Sequence, residues 1–339
     1  MSNTSTVNTT PSGVLKNGLR RKMKIRLSWI PVLAALAILI LMLIGGQVHF
    51  GSFITPAMLS SLLVDNAYLV VLAAGMTFVI LSGGIDLSVG AVMAFTGMLA
   101  AKLLSVGVPV AVVIPLMLLA GALFGTLIGV LVHFFDVQPF IASLTGMFLA
   151  RGLCFVISLE AIQVQNPFVL RLQSAQLNVG SWYITPTGII ALVVIVVAAW
   201  VLSYTRFGRT VYAIGGSEQS ARLMGLSVAR SKILVYVVSG VCAGIAGLIL
   251  TSYTAAGYGG NGVGTELDTI AAVVIGGTLL TGGSGYLVGS LVGVFVYGVI
   301  KVLIIYMGAD ASWERITIGI LLLVFVVVQR FIVARANRN

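Results

Sequence analysis

Long apolar runs alternate with short polar breaks along the whole chain. The runs lie near residues 28–47, 66–83, 87–106, 109–134, 139–158, 187–204, 232–252, 268–282, 286–307 and 313–333. Each approaches the roughly 20 residues that a helix needs to cross bilayer hydrocarbon. The pattern predicts an all-α polytopic membrane protein with about ten transmembrane helices. The pairs 66–106 and 268–307 are interrupted by Gly-Gly rather than by a polar loop, which marks broken helices.

Composition strengthens this picture. Of 339 residues, 59% are hydrophobic and only 8% are charged, against about 25% charged in a soluble domain. A soluble fold of this size has no place to bury so much apolar surface, so lipid is the solvent. Forty glycines suit helices that pack closely inside lipid. Cys154 and Cys242 both fall in apolar runs and read as small packing residues.

The net charge of +10 does not imply nucleic acid, because the basic residues cluster between apolar runs. Arg20, Arg21, Lys22, Lys24 and Arg26 precede the first run. Arg206, Arg209, Arg222, Arg230 and Lys232 lie in or beside 205–231, and Arg330, Arg335 and Arg338 close the chain. Six runs separate the first two clusters and four separate the second from the third. The positive-inside rule then puts all three on the cytoplasmic side, with 159–186 as the largest external loop. Residues 1–27 are expected to form a cytoplasmic tail, polar and disordered to residue 19. Residues 28–333 form the transmembrane domain and 334–339 a cytoplasmic end. The first run is too long for a signal peptide, so it is read as an uncleaved span.

A weak internal repeat has an offset of 199 residues. Leu81-Ser82-Gly83-Gly84 with Val89-Gly90 matches Leu280-Thr281-Gly282-Gly283 with Val288-Gly289. Spans 1–4 would correspond to spans 7–10.

Candidate chemistry concentrates in three places. At Gly83-Gly84-Ile85-Asp86-Leu87-Ser88, Asp86 is either a plain helix cap or an intramembrane acid on a substrate path. Asp65 with Asn66, and Glu266 with Asp268, are either helix-start acids or groups that bind sugar hydroxyls. Tyr253 and Tyr258 either stack on a sugar ring or belong to an interfacial belt. Arg151 either snorkels or pairs with an acid such as Glu160. In the third place, Gly215 and Gly216 lead to Ser217, an N-cap, with Glu218 in the first turn that follows. Ala221 and Arg222 come next. Leu223, Met224 and Leu226 give a short helix an apolar face, and Gly225 ends it. That helix either lies on lipid or docks into another protein.

No phosphate-binding glycine loop, metal cluster or nucleophile motif occurs in the sequence, so no catalytic or metal residues are expected. ATP-driven work would need ATP and magnesium on another chain.

Residues 76–100, which begin MTFVILSGGIDLSVG, resemble the ribose-type branch of bacterial ABC sugar permeases. So do Arg206-Phe207-Gly208, Tyr212 to Gly216, and Val273 to Gly285. The match extends over roughly 55–330. Within the branch, Asp65-Asn66-Ala67, Tyr253 to Tyr258 and Glu266-Leu267-Asp268 are similar to a permease chain of the galactofuranose importer. The resemblance implies an inner-membrane permease that pairs with a second permease chain. It also implies cytoplasmic ATPase subunits, a periplasmic sugar-binding protein and a coupling helix at Ser217–Gly225. The alternative from another class is an ion-coupled secondary sugar carrier with Asp86 or Glu266 as ion ligand.

Overall fold

A computed structural model describes residues 12–310 and 312–336, and side chains within 29–327. Residues 1–11 of the expected tail, and Arg338 with the chain end, lie outside the described residues. The chain is almost wholly helical. Its helices are α1 (Ser12–Phe50), α2 (Pro56–Asp65), α3 (Ala67–Leu81), α4 (Val89–Ser105), α5 (Val110–Phe134), α6 (Pro139–Ile157) and α7 (Pro167–Ser174). They continue with α8 (Pro186–Tyr204), α9 (Arg206–Gly216), α10 (Glu218–Leu223), α11 (Val228–Thr254), α12 (Thr265–Ile275), α13 (Leu287–Tyr306) and α14 (Ser312–Ala336). Among the described residues four short strands accompany the helices: β1 (Ile162–Gln163), β2 (Leu177–Val179), β3 (Trp182–Ile184) and β4 (Ala256–Gly257). β2 and β3 form a hairpin, and β1 pairs antiparallel with β4.

Among the described residues, six helices are long and apolar enough to cross a membrane, or seven when α2 and α3 count as one bent span. The expectation of about ten spans is met only to that extent. Each of the ten runs contains a helix, but α4 has 17 residues and α12 only 11. α1 begins at Ser12, so residues 12–27, read from sequence as tail, run helically into the first span. Their Leu, Lys, Arg and Met are good helix formers.

α3 is the centre of the molecule. Every residue from Leu69 to Leu81 is buried, and α8, α11, α12 and α13 pack around it. α2 and α3 meet at 54°. At the bend the side-chain Nδ2 of Asn66 donates to the Leu62 carbonyl at 2.9 Å. A continuous helix would give that carbonyl to the Asn66 backbone N–H, so the side chain replaces the lost bond.

Glycines set the helix crossings. Gly121, Gly125 and Gly129 recur every four residues on α5 and face Gly240, Tyr236 and Ile233 of α11. A Cβ at Gly121 would collide with the Gly240 carbonyl, and one at Gly240 with the Gly121 carbonyl. Backbones touch here because dispersion contact, not water exclusion, holds helices together in lipid. Cys242 packs its Cβ where a Cβ at Gly75 would lie 2.9 Å away, and both cysteines are buried and unpaired.

The helices follow the 199-residue offset: α1, α3, α4 and α5 fall on α11, α12, α13 and α14. One copy departs. The run 268–282 is expected to be helical throughout, yet α12 stops at Ile275. Gly277 has a φ of +95°, and a Cβ there would stand 2.7 Å from Pro31 Cβ. The turn uses a backbone conformation that only glycine adopts readily, and α1 leaves no room there for a side chain.

Candidate functional site

The segment after α11 explains why α12 is short. β4 is level with Ala101, against which Gly257 packs, and Gly262 lies against Gly90 and Met93. The chain therefore runs back along α4 by eleven residues, about 16 Å of helix. α12 starts deep in the bundle. Non-helical backbone at such depth must find its hydrogen bonds inside the protein. Arg151 supplies them: its Nη1 donates to the carbonyls of Gly259 and Asn261 at 2.5 and 2.6 Å. Of the two readings of Arg151, pairing with an acid such as Glu160 is not seen among the described residues. A positive guanidinium suits carbonyl oxygens, and Glu160 is exposed to the surroundings.

The starts of α3 and α12 come together in an acidic cluster. Tyr253 donates its hydroxyl to Oδ1 of Asp65 at 3.3 Å. Tyr297 donates to Oε1 of Glu314 at 2.9 Å and lies beside Asp268. Lys301 reaches Glu314 at 3.7 Å and stands 5.2 Å above the Tyr297 ring. Tyr68 sits among Asp65, Asp268, Glu314 and Tyr253. Three carboxylates face one lysine, so the cluster is negative. Asp65 is exposed, and Asp268 and Glu314 are partly so. Such groups do not face acyl chains; they need water, ligand or protein.

Other sequence candidates fall elsewhere. Asn66 is buried and spent on the helix bend. Glu266 accepts from the Gly264 N–H at 3.2 Å, and its other oxygen is buried with no partner among the described residues. Tyr258 is exposed, with its ring over Gly260.

Asp86 is 1% exposed. Its Oδ1 accepts from the Ser88 N–H at 2.9 Å and the Ser88 hydroxyl at 2.6 Å, and its Oδ2 accepts from Ser239 at 2.7 Å. Asp86 does not cap α4 itself, whose N-cap is Ser88; its carboxylate closes the turn that leads into α4 and ties that turn to α11. Ser88 is likewise buried.

At the far end of α3, about 20 Å from the acidic cluster, lies the basic segment. It holds two helices where the sequence indicated one. α9 packs on α8, and α10 projects beyond it. Ser217 caps α10, accepting from the Ser220 N–H at 3.2 Å. Gly225, at a φ of +73°, closes it, and the Leu226 N–H reaches back to the Ala221 carbonyl at 3.1 Å. Leu223 and Met224 are 84% and 67% exposed. Ala221 lies on the inner side of α10, away from any docking surface. It is fully buried against Ile214 and Val228, because the inner side of α10 must cover α9. Glu218 bonds Arg222 and Lys232, both at 2.6 Å. Burial raises the Glu218 carboxyl, but the hydrogen bonds and charges of Lys232 and Arg222 outweigh it and hold it below its usual value.

Tyr68, Tyr297, Lys301, Glu314 and Ser239 were not singled out from sequence. Lys301 and Glu314 carried a usable signal: each is a charge in or at the edge of an apolar run, the criterion that selected Asp86.

A family model described as "Branched-chain amino acid transport system / permease component" matches residues 58–326. The fructose import permease protein FruG of Bifidobacterium longum (strain NCC 2705) is 44% identical over 331 residues, 93% of this chain and 95% of that one. The inner membrane ABC transporter permease protein YjfF of Escherichia coli (strain K12) is 41% identical, over 89% and 92% of the two chains. The ribose import permease protein RbsC of the same strain is 36% identical, over 82% and 87%. No solved structure matches the chain. These matches span most of the bundle, and the chain belongs to the ribose-type family of ABC sugar-transporter permeases.

Proposed function

We propose that this chain is the transmembrane subunit of an importer that carries a monosaccharide, galactofuranose or a related sugar, across the bacterial inner membrane. It pairs with a second permease chain, identical or homologous. ATP and magnesium are bound and consumed on cytoplasmic ATPase subunits, and a periplasmic binding protein delivers the sugar. The bundle crosses the membrane about ten times, with both termini and α9–α10 in the cytoplasm, as the placement of Lys and Arg requires.

One arrangement carries the sugar path. The acidic cluster of Asp65, Asp268 and Glu314 is interleaved with Tyr68, Tyr253 and Tyr297 on a partly exposed face of an otherwise apolar bundle. Carboxylates accept hydrogen bonds from sugar hydroxyls, and tyrosines offer both a flat face and a hydroxyl. Glu266 and Tyr258 extend the path along the loop before α12. α10 meets the ATPase through Leu223 and Met224, while Gly216, Ser217, Glu218, Arg222 and Gly225 shape that contact and Gly215 packs inward against Leu81 and Gly283.

The test is uptake in proteoliposomes that hold this chain, a partner permease and the ATPase, with binding protein outside. Labelled galactofuranose, fructose and ribose are compared with and without ATP. Uptake of one sugar that requires ATP is expected, and Asp268→Asn is expected to reduce it without loss of ATPase co-purification. Uptake by this chain alone without ATP would establish a secondary carrier instead. A cysteine at Asn166 should be labelled from outside intact cells and one at Asn339 should not.

A further inference from the structure

The two glycine pairs singled out by the repeat meet each other, and Gly282-Gly283 and the Leu81 carbonyl meet the end of α9. The Gly283 N–H donates to the Leu81 carbonyl at 2.9 Å, joining the turn after α12 to the end of α3. A Cβ at Gly215 would collide with the Leu81 carbonyl and the Gly283 nitrogen, and would stand 3.0 Å from Gly283 Cα. One at Gly282 would lie 2.8 Å from the Gly83 nitrogen and 3.1 Å from Gly215 Cα. One at Gly283 would lie 2.7 Å from the Gly216 nitrogen. Gly83, Gly282 and Gly283 all have positive φ, at +82°, +82° and +72°. The Tyr212 hydroxyl of α9 donates to the Gly285 carbonyl at 2.9 Å. Three backbone segments thus touch with no side chain between them.

The ends of these segments matter. α3 begins beside Asp65 and Tyr68, and α12 begins at Glu266 and Asp268, so both start at the acidic cluster. Both lead to the glycine junction. α9 leaves the junction through Gly216, and the next residue, Ser217, caps α10. Side chains at such a meeting point would yield by changing rotamer, whereas backbone in direct contact transmits displacement without slack.

We propose that Gly83, Gly215, Gly282 and Gly283 form a backbone relay through which a shift of α10 moves α3 and α12 together, so that both sides of the acidic cluster respond to one input. Tyr212 is a positioning residue that holds α9 on this relay. The relay rests on the assignment of α10 as the ATPase-facing helix.

The experiment uses the assembled transporter in proteoliposomes and reads three quantities: ATPase co-purification, ATP hydrolysis, and sugar moved per ATP hydrolysed. Gly215→Ala is compared with wild type and with Gly45→Ala, a site on α1 where a Cβ meets nothing within 4 Å. Gly215→Ala is expected to keep the ATPase bound and active while sugar moved per ATP falls about ten-fold. A wild-type ratio in that variant would overturn the relay, as would an equal fall in Gly45→Ala. If Gly215→Ala does not accumulate, Tyr212→Phe decides, since it removes one hydroxyl and no packing. A several-fold lower ratio is expected there, and an unchanged ratio overturns the proposal. Failure of the wild-type chain to bind any ATPase would instead overturn the assignment of α10.

Discussion

Lys232 Nζ lies 2.6 Å from Glu218 Oε2, so the first turn of α10 is tied to the first turns of α11, fourteen residues further along the chain. Since α11 packs along α3, α4 and α5, this contact gives α10 a second hold on the bundle. Glu218→Gln is expected to leave the fold intact, because a partly exposed pair contributes only about 0–1 kcal/mol. It is expected to lower sugar moved per ATP. The folded carboxyl titrates below its ordinary value of 4.5. The tie is therefore complete at and above that ordinary value, and it is lost as pH falls through the lower folded one. Coupling measured at neutral and mildly acidic pH should not differ through this pair.

Asp86 tests whether a buried acid serves the fold or the cargo. Asp86→Ala leaves three donors, from Ser88 and Ser239, without an acceptor. Each orphaned group costs about 1–3 kcal/mol, so folded protein recovered from membranes should drop sharply. Asp86→Asn keeps an oxygen for Ser88, and Ser239 can turn to accept, so its yield should lie well above that of Asp86→Ala. Normal yield with abolished uptake in Asp86→Asn would place Asp86 on the substrate path.

Arg151→Ala removes the donors from the Gly259 and Asn261 carbonyls in the loop that precedes α12. Hydrogen bonds to charged groups contribute about 1.5–3 kcal/mol each. The variant should lose thermal stability, and limited proteolysis should cut first within 255–264. Arg151→Lys should restore this only in part, because an ammonium lacks the planar fork. Proteolysis confined to other loops would contradict the role given to Arg151.

Gly240→Val should be among the most damaging substitutions on α11. The new side chain meets the Gly121 carbonyl, and backbone on both helices leaves no rotamer to yield. Overpacking typically costs about 1–3 kcal/mol, and more is expected here. Gly319→Val, where a Cβ meets nothing within 4 Å, should behave as wild type in detergent thermal-shift measurements.

Much of the architecture was legible because hydropathy is a property of composition along the chain. The runs located every long helix, and the Ser217 cap and Gly225 stop bracketed α10 correctly, since caps depend on neighbours within a few residues. The offset of 199 also places α1, α3, α4 and α5 on α11, α12, α13 and α14 along the chain. The break at Gly83-Gly84 was visible for the same local reason.

The sequence by itself determined a membrane-embedded helical bundle, its family and the presence of a capped helix in the basic segment. Tertiary structure alone decided the rest. It turned Asp86 inward to Ser88 and Ser239, buried Ala221 between α10 and α9, and ended α12 at Ile275, two residues before Gly277 packs against Pro31. It joined Asp65, Tyr68, Asp268, Tyr297, Lys301 and Glu314, which lie on five different helices, into one cluster. It also brought Gly83 and Gly215 up against Gly282, across about two hundred residues of chain. Spacing along a sequence specifies which face of its own helix a residue occupies, but not which other helix that face will meet, because that depends on where every glycine lets two backbones approach.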